Sequence, residues 1–156
     1  HYHFRDKEIN KLCDKLIEIK NNNKDIKLNI VTSRRTSGLI KKILIEKLNN
    51  IATVWTGDGK NPYNESIQSS SFFIVTSDST SMISEAAISG KPIYIYHLAF
   101  KRKSKRMENF HSEFSKLGIT KDILNINNLG NWTYNSLNES ERIASIIKKR
   151  ILEDKI

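Results

Sequence analysis

The chain has 156 residues, with 26 Lys+Arg against 17 Asp+Glu and a net charge of +9. That length suits one ordinary domain with a real core, and no apolar run approaches the ~20 residues of a spanning helix, which excludes a helical membrane protein. A single cysteine excludes a disulfide framework and a structural zinc cluster, and suits a reducing cytosol.

The chain opens on His1-Tyr2-His3, with no methionine and no signal-peptide pattern, so it is expected to be part of a longer protein. Ile9, Leu12, Cys13, Leu16 and Ile17 recur at helical spacing and predict an amphipathic helix from Asp6 to about Asn22. The run Asn21 to Asn23 stops it, and Cys13 on its apolar face is expected to be buried packing rather than a nucleophile. Leu28 to Thr32 reads as a short buried strand. A helix follows from about Ser37 to Asn49, with Ile40, Ile43, Leu44 and Leu48 on one face. Ala52 to Thr56 is the next strand, and Gly57 to Pro62 is its turn-rich exit.

A short helix over Tyr63 to Ser70 leads into the apolar strand Phe72 to Thr76. In the next helix Asp78 is the expected N-cap, Met82, Ile83, Ala86 and Ala87 are the buried stripe, and Gly90 is the end. Ile93 to Tyr96 is a further strand. Met107, Phe110, Phe114 and Leu117 outline a helix ending at Gly118. Asn138 with Glu141 resembles a capping box for a last helix carrying Ile143, Ile146, Ile147 and Ile151. Asn125 to Leu137 is the only long irregular stretch expected. Alternating helices and short apolar strands predict one α/β domain over residues 1–156, doubly wound around a mostly parallel, Rossmann-like sheet.

Open α/β sheets bind ligands at the carboxyl ends of their strands. If the strands at Leu28 and Phe72 are neighbours, two loops meet there: Ser33-Arg34-Arg35-Thr36 and Ser77-Asp78-Ser79-Thr80-Ser81. The second opens a helix, whose free N–H groups and positive dipole end suit a phosphate. Arg34 and Arg35 could add forked hydrogen bonds to the same anion. Glu85, one turn beyond Ser81 on the same face, could accept both hydroxyls of a ribose. Together these residues describe a nucleoside-diphosphate site; taken singly, each has an ordinary structural use as a helix cap or a solvated turn.

Other chemistries are poorly served. Gly57-x-Gly59 follows a strand, but Pro62 stands where a dinucleotide fingerprint wants its third glycine. There is no Walker-type phosphate loop and no Gly-x-Ser-x-Gly elbow, so Ser79 and Ser81 make poor hydrolase nucleophiles. His97 and His111 read as single structural histidines. No Asp-x-Asp pair is present to bridge a metal to a diphosphate, and no metal or other cofactor is expected.

The run Val75-Thr76-Ser77-Asp78-Ser79-Thr80-Ser81-Met82-Ile83-Ser84-Glu85-Ala86-Ala87, followed by Gly90-Lys91-Pro92, resembles the signature of the mitochondrial-fission (elongated-mitochondria) family. Its bacterial members are described as candidate glycosyltransferases. Thr32 to Thr36, Asn61-Pro62-Tyr63, Phe110-His111, Trp132-Thr133-Tyr134 and Leu137 to Ser140 match in the same order, so the resemblance spans essentially the whole chain. It implies the C-terminal, donor-binding half of a metal-independent GT-B type glycosyltransferase, with a nucleotide-sugar donor and a lipid-linked or saccharide acceptor. Ser79, Thr80, Ser81 and Met82 would then open the helix that faces the diphosphate, and Glu85 would hold the ribose. Ser33 and Arg34 correspond to a phosphate loop, and Trp55 to Asn61 to a loop near the base. An acceptor-binding N-terminal half is expected outside this chain, which alone is expected to be inactive. Eukaryotic relatives recruit division machinery to mitochondria, so a non-catalytic interaction protein is the alternative.

Lysine supplies most of the charge, 19 Lys against 7 Arg, and scattered lysines ordinarily only solvate a surface. The exception is Lys101-Arg102-Lys103-Ser104-Lys105-Arg106, expected at the carboxyl edge of the sheet. Donor phosphate, a lipid-phosphate acceptor or an anionic membrane could each meet it. No nucleic-acid partner is expected, because no aromatic RNA-reading motif, zinc finger or recognition helix is present. The expected location is cytoplasmic, with peripheral contact at the inner face of a membrane.

Overall fold

A computed structural model of the chain describes residues 2–136, 148, 149 and 152. The predicted last helix at Asn138 to Ile151 lies outside these residues, apart from isolated positions. The backbone divides into two compact units: one holds Phe4–Ser69 with Ile126–Leu129, and the other is built on Ser70–Asn125, with the chain from Gly130 and the first strand.

That first strand, β1 (Tyr2–His3), belongs to the second unit. The first unit begins with α1 (Asp6–Asn22), where Asp6 and Glu8 place negative charge at the positive end of the helix. The carboxylate of Glu8 accepts the Arg5 N–H at 3.2 Å. Asn23 ends the helix as the sequence pattern requires, its side-chain amide donating to the Ile19 carbonyl at 2.8 Å. Ile9, Leu12, Cys13, Leu16 and Ile19 are buried. Cys13 is inert packing, and burial pushes its thiol pKa up.

After β2 (Leu28–Val31), the side chain of Ser37 caps α2 (Gly38–Leu48) by accepting the Ile40 N–H at 3.3 Å. Ile40, Leu44 and Leu48 face the core of this unit, and Ile43 is half-buried. β3 (Ala52–Trp55) then runs parallel to β2 with Leu28 opposite Ala52, which completes one βαβ crossover. α3 (Tyr63–Ser69) closes the unit.

The second unit repeats the crossover twice. β4 (Phe73–Thr76), α4 (Thr80–Ile88) and β5 (Ile93–Tyr96) give a parallel pair with Phe73 opposite Ile93. β6 (Ala99–Phe100), α5 (Lys105–Lys116) and β7 (Thr120–Asp122) follow, and β7 lies parallel to β5 on its other side. β5 is therefore central, and all four of its residues are buried, as a parallel strand covered on both faces should be. Ile83, Ala86 and Ala87 of α4 pack with Ile93, Ile95, Phe110, Phe114 and Ile119 in one core. Gly90 and Gly118 end the two helices at φ +72° and +71°, the left-handed conformation that favours glycine.

These crossovers make the fold α/β and Rossmann-like. Three strands are not among those expected: β1 and β6 pair antiparallel with Tyr2 opposite Phe100, and β7 occupies three residues for which no element is expected. Asp78 also differs: Ser79 is the N-cap of α4, and no side chain caps it. The Asp78 carboxylate instead accepts the Thr76 hydroxyl at 2.7 Å, and the same oxygen accepts the Ser79 hydroxyl at 3.5 Å. Met82, expected in the buried stripe, is only half-buried.

Candidate functional site

The turn between β4 and α4 is held in place at Ser77, which is 1% exposed. Its N–H donates to the Tyr96 carbonyl at 3.0 Å, extending the β4–β5 ladder by one bond. Its hydroxyl oxygen accepts the Leu98 N–H at 2.9 Å. Its carbonyl accepts from Nε2 of His111 on α5 at 2.8 Å. A carbonyl has no proton to give, so this contact places the ring proton of His111 on Nε2. The Ser79 N–H then bonds back to the Thr76 carbonyl at 3.0 Å and closes the turn.

α4 thus starts from a fixed point at the carboxyl end of the parallel sheet. Serines at the N-caps of α2 and α5 each accept a first-turn N–H; at α4 no side chain does so. Asp78, Ser79, Thr80 and Met82 are half-buried around this start, and Ser81 is exposed. Glu85 is also exposed and stands four residues beyond Ser81, on the same helix face. The structure therefore brings Ser77 to Met82 and Glu85 together on one turn and one helix. First-turn amides with the helix dipole suit an anion, and a carboxylate one turn on suits a pair of hydroxyls.

His111 is the residue whose part was not legible from sequence. Its ring lies edge-on to Phe110 and to exposed His97, with centroids 5.3 Å away in both cases. Burial is the main influence lowering its pKa, with a smaller lowering by His97, and the bond to Ser77 works in the opposite direction. The folded chain therefore binds fewer protons at His111 than the unfolded chain, whose histidines titrate near pH ~6.5. Stability from this group is fully present above about pH 6.5 and is lost as pH falls through the lower folded value. Urea midpoints should fall between about pH 7.5 and 5.5 in the wild type, and His111→Gln should flatten that slope. An unchanged slope would show that His111 is not the titrating group.

Ser33, Arg34 and Arg35 belong to the other unit, and their turn is described by itself. Thr32 ends β2 with its hydroxyl on the Trp55 carbonyl at 2.9 Å. The Ser33 N–H donates to the Thr36 hydroxyl at 3.0 Å, the Thr36 N–H returns to the Ser33 carbonyl at 3.1 Å, and the Arg35 N–H reaches the Ser33 hydroxyl at 3.2 Å. This tight turn leaves Arg34 and Arg35 exposed, with no ion pair among the described residues. Beyond β3, the Trp55 indole N–H bonds to the Asp58 carbonyl at 2.6 Å and folds the glycine-rich loop back. An open groove of about 400 Å³ on this unit is lined by Gly38, Lys41, Lys42, Ile45, Glu46 and Thr56. It meets the predicted residues only at Thr56.

The Trp132-Thr133-Tyr134 motif is a clasp within the second unit. The Trp132 indole N–H donates to the Gly118 carbonyl at 2.9 Å, and its ring meets Tyr94 edge-on at 5.1 Å. The Tyr134 hydroxyl donates to the Lys91 carbonyl at 2.6 Å, and burial pushes its pKa up to about 12.

A profile of the family described as Mitochondrial fission ELM1 matches residues 1–151. The chain is 27% identical over 128 residues to the Mitochondrial fission protein ELM1 of Arabidopsis thaliana, covering 78% of this chain and 29% of that protein. It is 33% identical over 135 residues to an uncharacterized protein of Rickettsia prowazekii (strain Madrid E), covering 81% of this chain and 37% of that protein. The chain thus spans about a third of the length of these curated relatives. No solved structure gives a significant match.

Proposed function

Because the chain belongs to the Mitochondrial fission ELM1 family, we propose that it is the nucleotide-sugar-binding part of a GT-B type glycosyltransferase that works without a metal. The observation that carries this reading is the β4–α4 turn. Ser77 is locked from three directions, and the helix beyond it begins without a side-chain cap. In this reading the first-turn amides of Thr80, Ser81 and Met82 receive the diphosphate, and Glu85 accepts the ribose hydroxyls. Arg34 and Arg35, on their own turn, are phosphate-binding guanidiniums. Catalysis is electrostatic: oriented amides and guanidiniums stabilise the charge that develops on the departing nucleoside diphosphate. The acceptor is a lipid-linked or free saccharide.

A second reading, favoured by the name of the Arabidopsis relative, is a non-catalytic interaction protein acting in organelle division. Thermal shift with UDP-, GDP-, ADP- and CMP-sugars separates the two. A ligand at a hundred times its Kd adds about 2.7 kcal/mol to the native state, so one nucleotide class should raise Tm by several degrees. A flat response to all four, confirmed by calorimetry, would overturn the glycosyltransferase reading.

A further inference from the structure

Five cations stand between Lys101 and Arg106, and neither the core nor the β4–α4 turn uses them. The chain leaves β6, bends at Lys101 and Arg102, and enters α5 at Ser104, whose hydroxyl accepts the Met107 N–H at 3.4 Å. Lys105 and Arg106 are therefore the first two residues of the helix, where the dipole disfavours positive charge. α1 shows the ordinary arrangement, with Asp6 and Glu8 in its first turn. Lys101, Arg102, Lys103 and Lys105 are exposed, and among the described residues none of the five forms an ion pair. In α5 a single first-turn carboxylate, Glu108, stands against these five cations, so the segment keeps a net positive charge that an external anionic surface would neutralise.

We propose that the Lys101–Arg106 segment docks the protein on anionic lipid bilayers. A bilayer suits it because attraction to a charged surface is delocalised and needs no pocket, and four to eight basic residues are enough to generate it. Met107, Phe110 and Phe114 are all buried, so α5 has no apolar face left to insert. Contact is therefore at headgroup level and electrostatic. Among the described residues no helix is long and apolar enough to cross a membrane, so this contact is peripheral. The inference does not depend on the glycosyltransferase reading, because vesicle binding and nucleotide binding are measured separately.

The test is co-sedimentation of the 156-residue chain with vesicles of phosphatidylcholine alone or mixed with phosphatidylglycerol. Binding is expected only to the mixed vesicles, and it should vanish at about 1 M salt, where the Debye length is roughly 3 Å. Replacing Lys101, Arg102 and Lys103 together by glutamine should weaken partitioning at least tenfold. A control with the same charge change elsewhere, Lys11, Lys24 and Lys27 to glutamine, should bind almost as the wild type does. Lys105→Gln should raise Tm slightly while weakening binding, because it removes a cation from a helix start. No binding to mixed vesicles, equal losses in both triple variants, or tighter binding to single-stranded RNA than to the vesicles would each overturn the proposal.

Discussion

Phe114→Ala should lower stability by about 3–5 kcal/mol, the range for emptying a buried aromatic site. Phe114 is fully buried and lies on Phe110 with ring centroids 4.3 Å apart and planes at 29°. Around it the core is closed by Ile83, Ala86 and Ala87 of α4 and by Ile93 and Ile95 of the central strand. Two of those neighbours are alanines with no rotamers to shift into a void, so the cavity cannot collapse cheaply. Since domains are typically stable by only about 5–15 kcal/mol, the loss is a large fraction of the whole. A urea titration should show the midpoint falling with an unchanged slope. Phe114→Leu, which keeps most of the volume, should cost clearly less. Equal losses in the two variants would show that ring stacking, rather than the filled volume, stabilises this layer.

The same packing explains which parts of the fold were legible in advance. α1, α2 and α4 each bury a stripe at helical spacing and end on an asparagine run, a polar cap or a glycine, so pattern and punctuation agree locally. α5 was legible through Met107, Phe110 and Phe114, although its first two residues are basic. β5 was legible because all four of its residues are apolar. β7 was not: Thr120-Lys121-Asp122 has no periodicity of its own and becomes a strand only because β5 offers a free edge. β1 and β6 are two-residue strands whose pairing joins positions nearly a hundred residues apart, and no local pattern encodes that.

The site divides along the same line. The Ser77–Ser81 cluster and the phase of Glu85 follow from the order of residues along one helix, and the structure keeps both. Asp78 was misassigned because a carboxylate before a helix is by type an excellent cap, whereas Thr76 two residues earlier captures it. The clamp on Ser77 was beyond reach, because it needs Leu98 and His111 to arrive from 21 and 34 residues away. His97 and His111 read as isolated histidines, and only the packing of α5 beside the end of β5 makes them neighbours. A histidine directly beside a buried phenylalanine was the available signal; it marked a partly buried ring, not its partner.

Glu85→Ala should weaken binding of the preferred nucleoside diphosphate on the order of a hundredfold while leaving the fold intact. The argument rests on the proposed nucleotide site. A carboxylate that accepts two ribose hydroxyls forms two charge-assisted hydrogen bonds, each of about 1.5–3 kcal/mol, and truncation removes both. Glu85 is exposed on α4, so Tm should change by little more than a surface substitution allows. Glu85→Gln keeps the shape and one acceptor oxygen, and should fall between the two in affinity. Discrimination against 2′-deoxynucleotides should shrink in both variants, a readout that general disturbance of the helix would not give. Calorimetry on the three proteins decides the matter. If ribose and 2′-deoxyribose diphosphates bind Glu85→Ala with the same ratio as the wild type, Glu85 does not read the sugar.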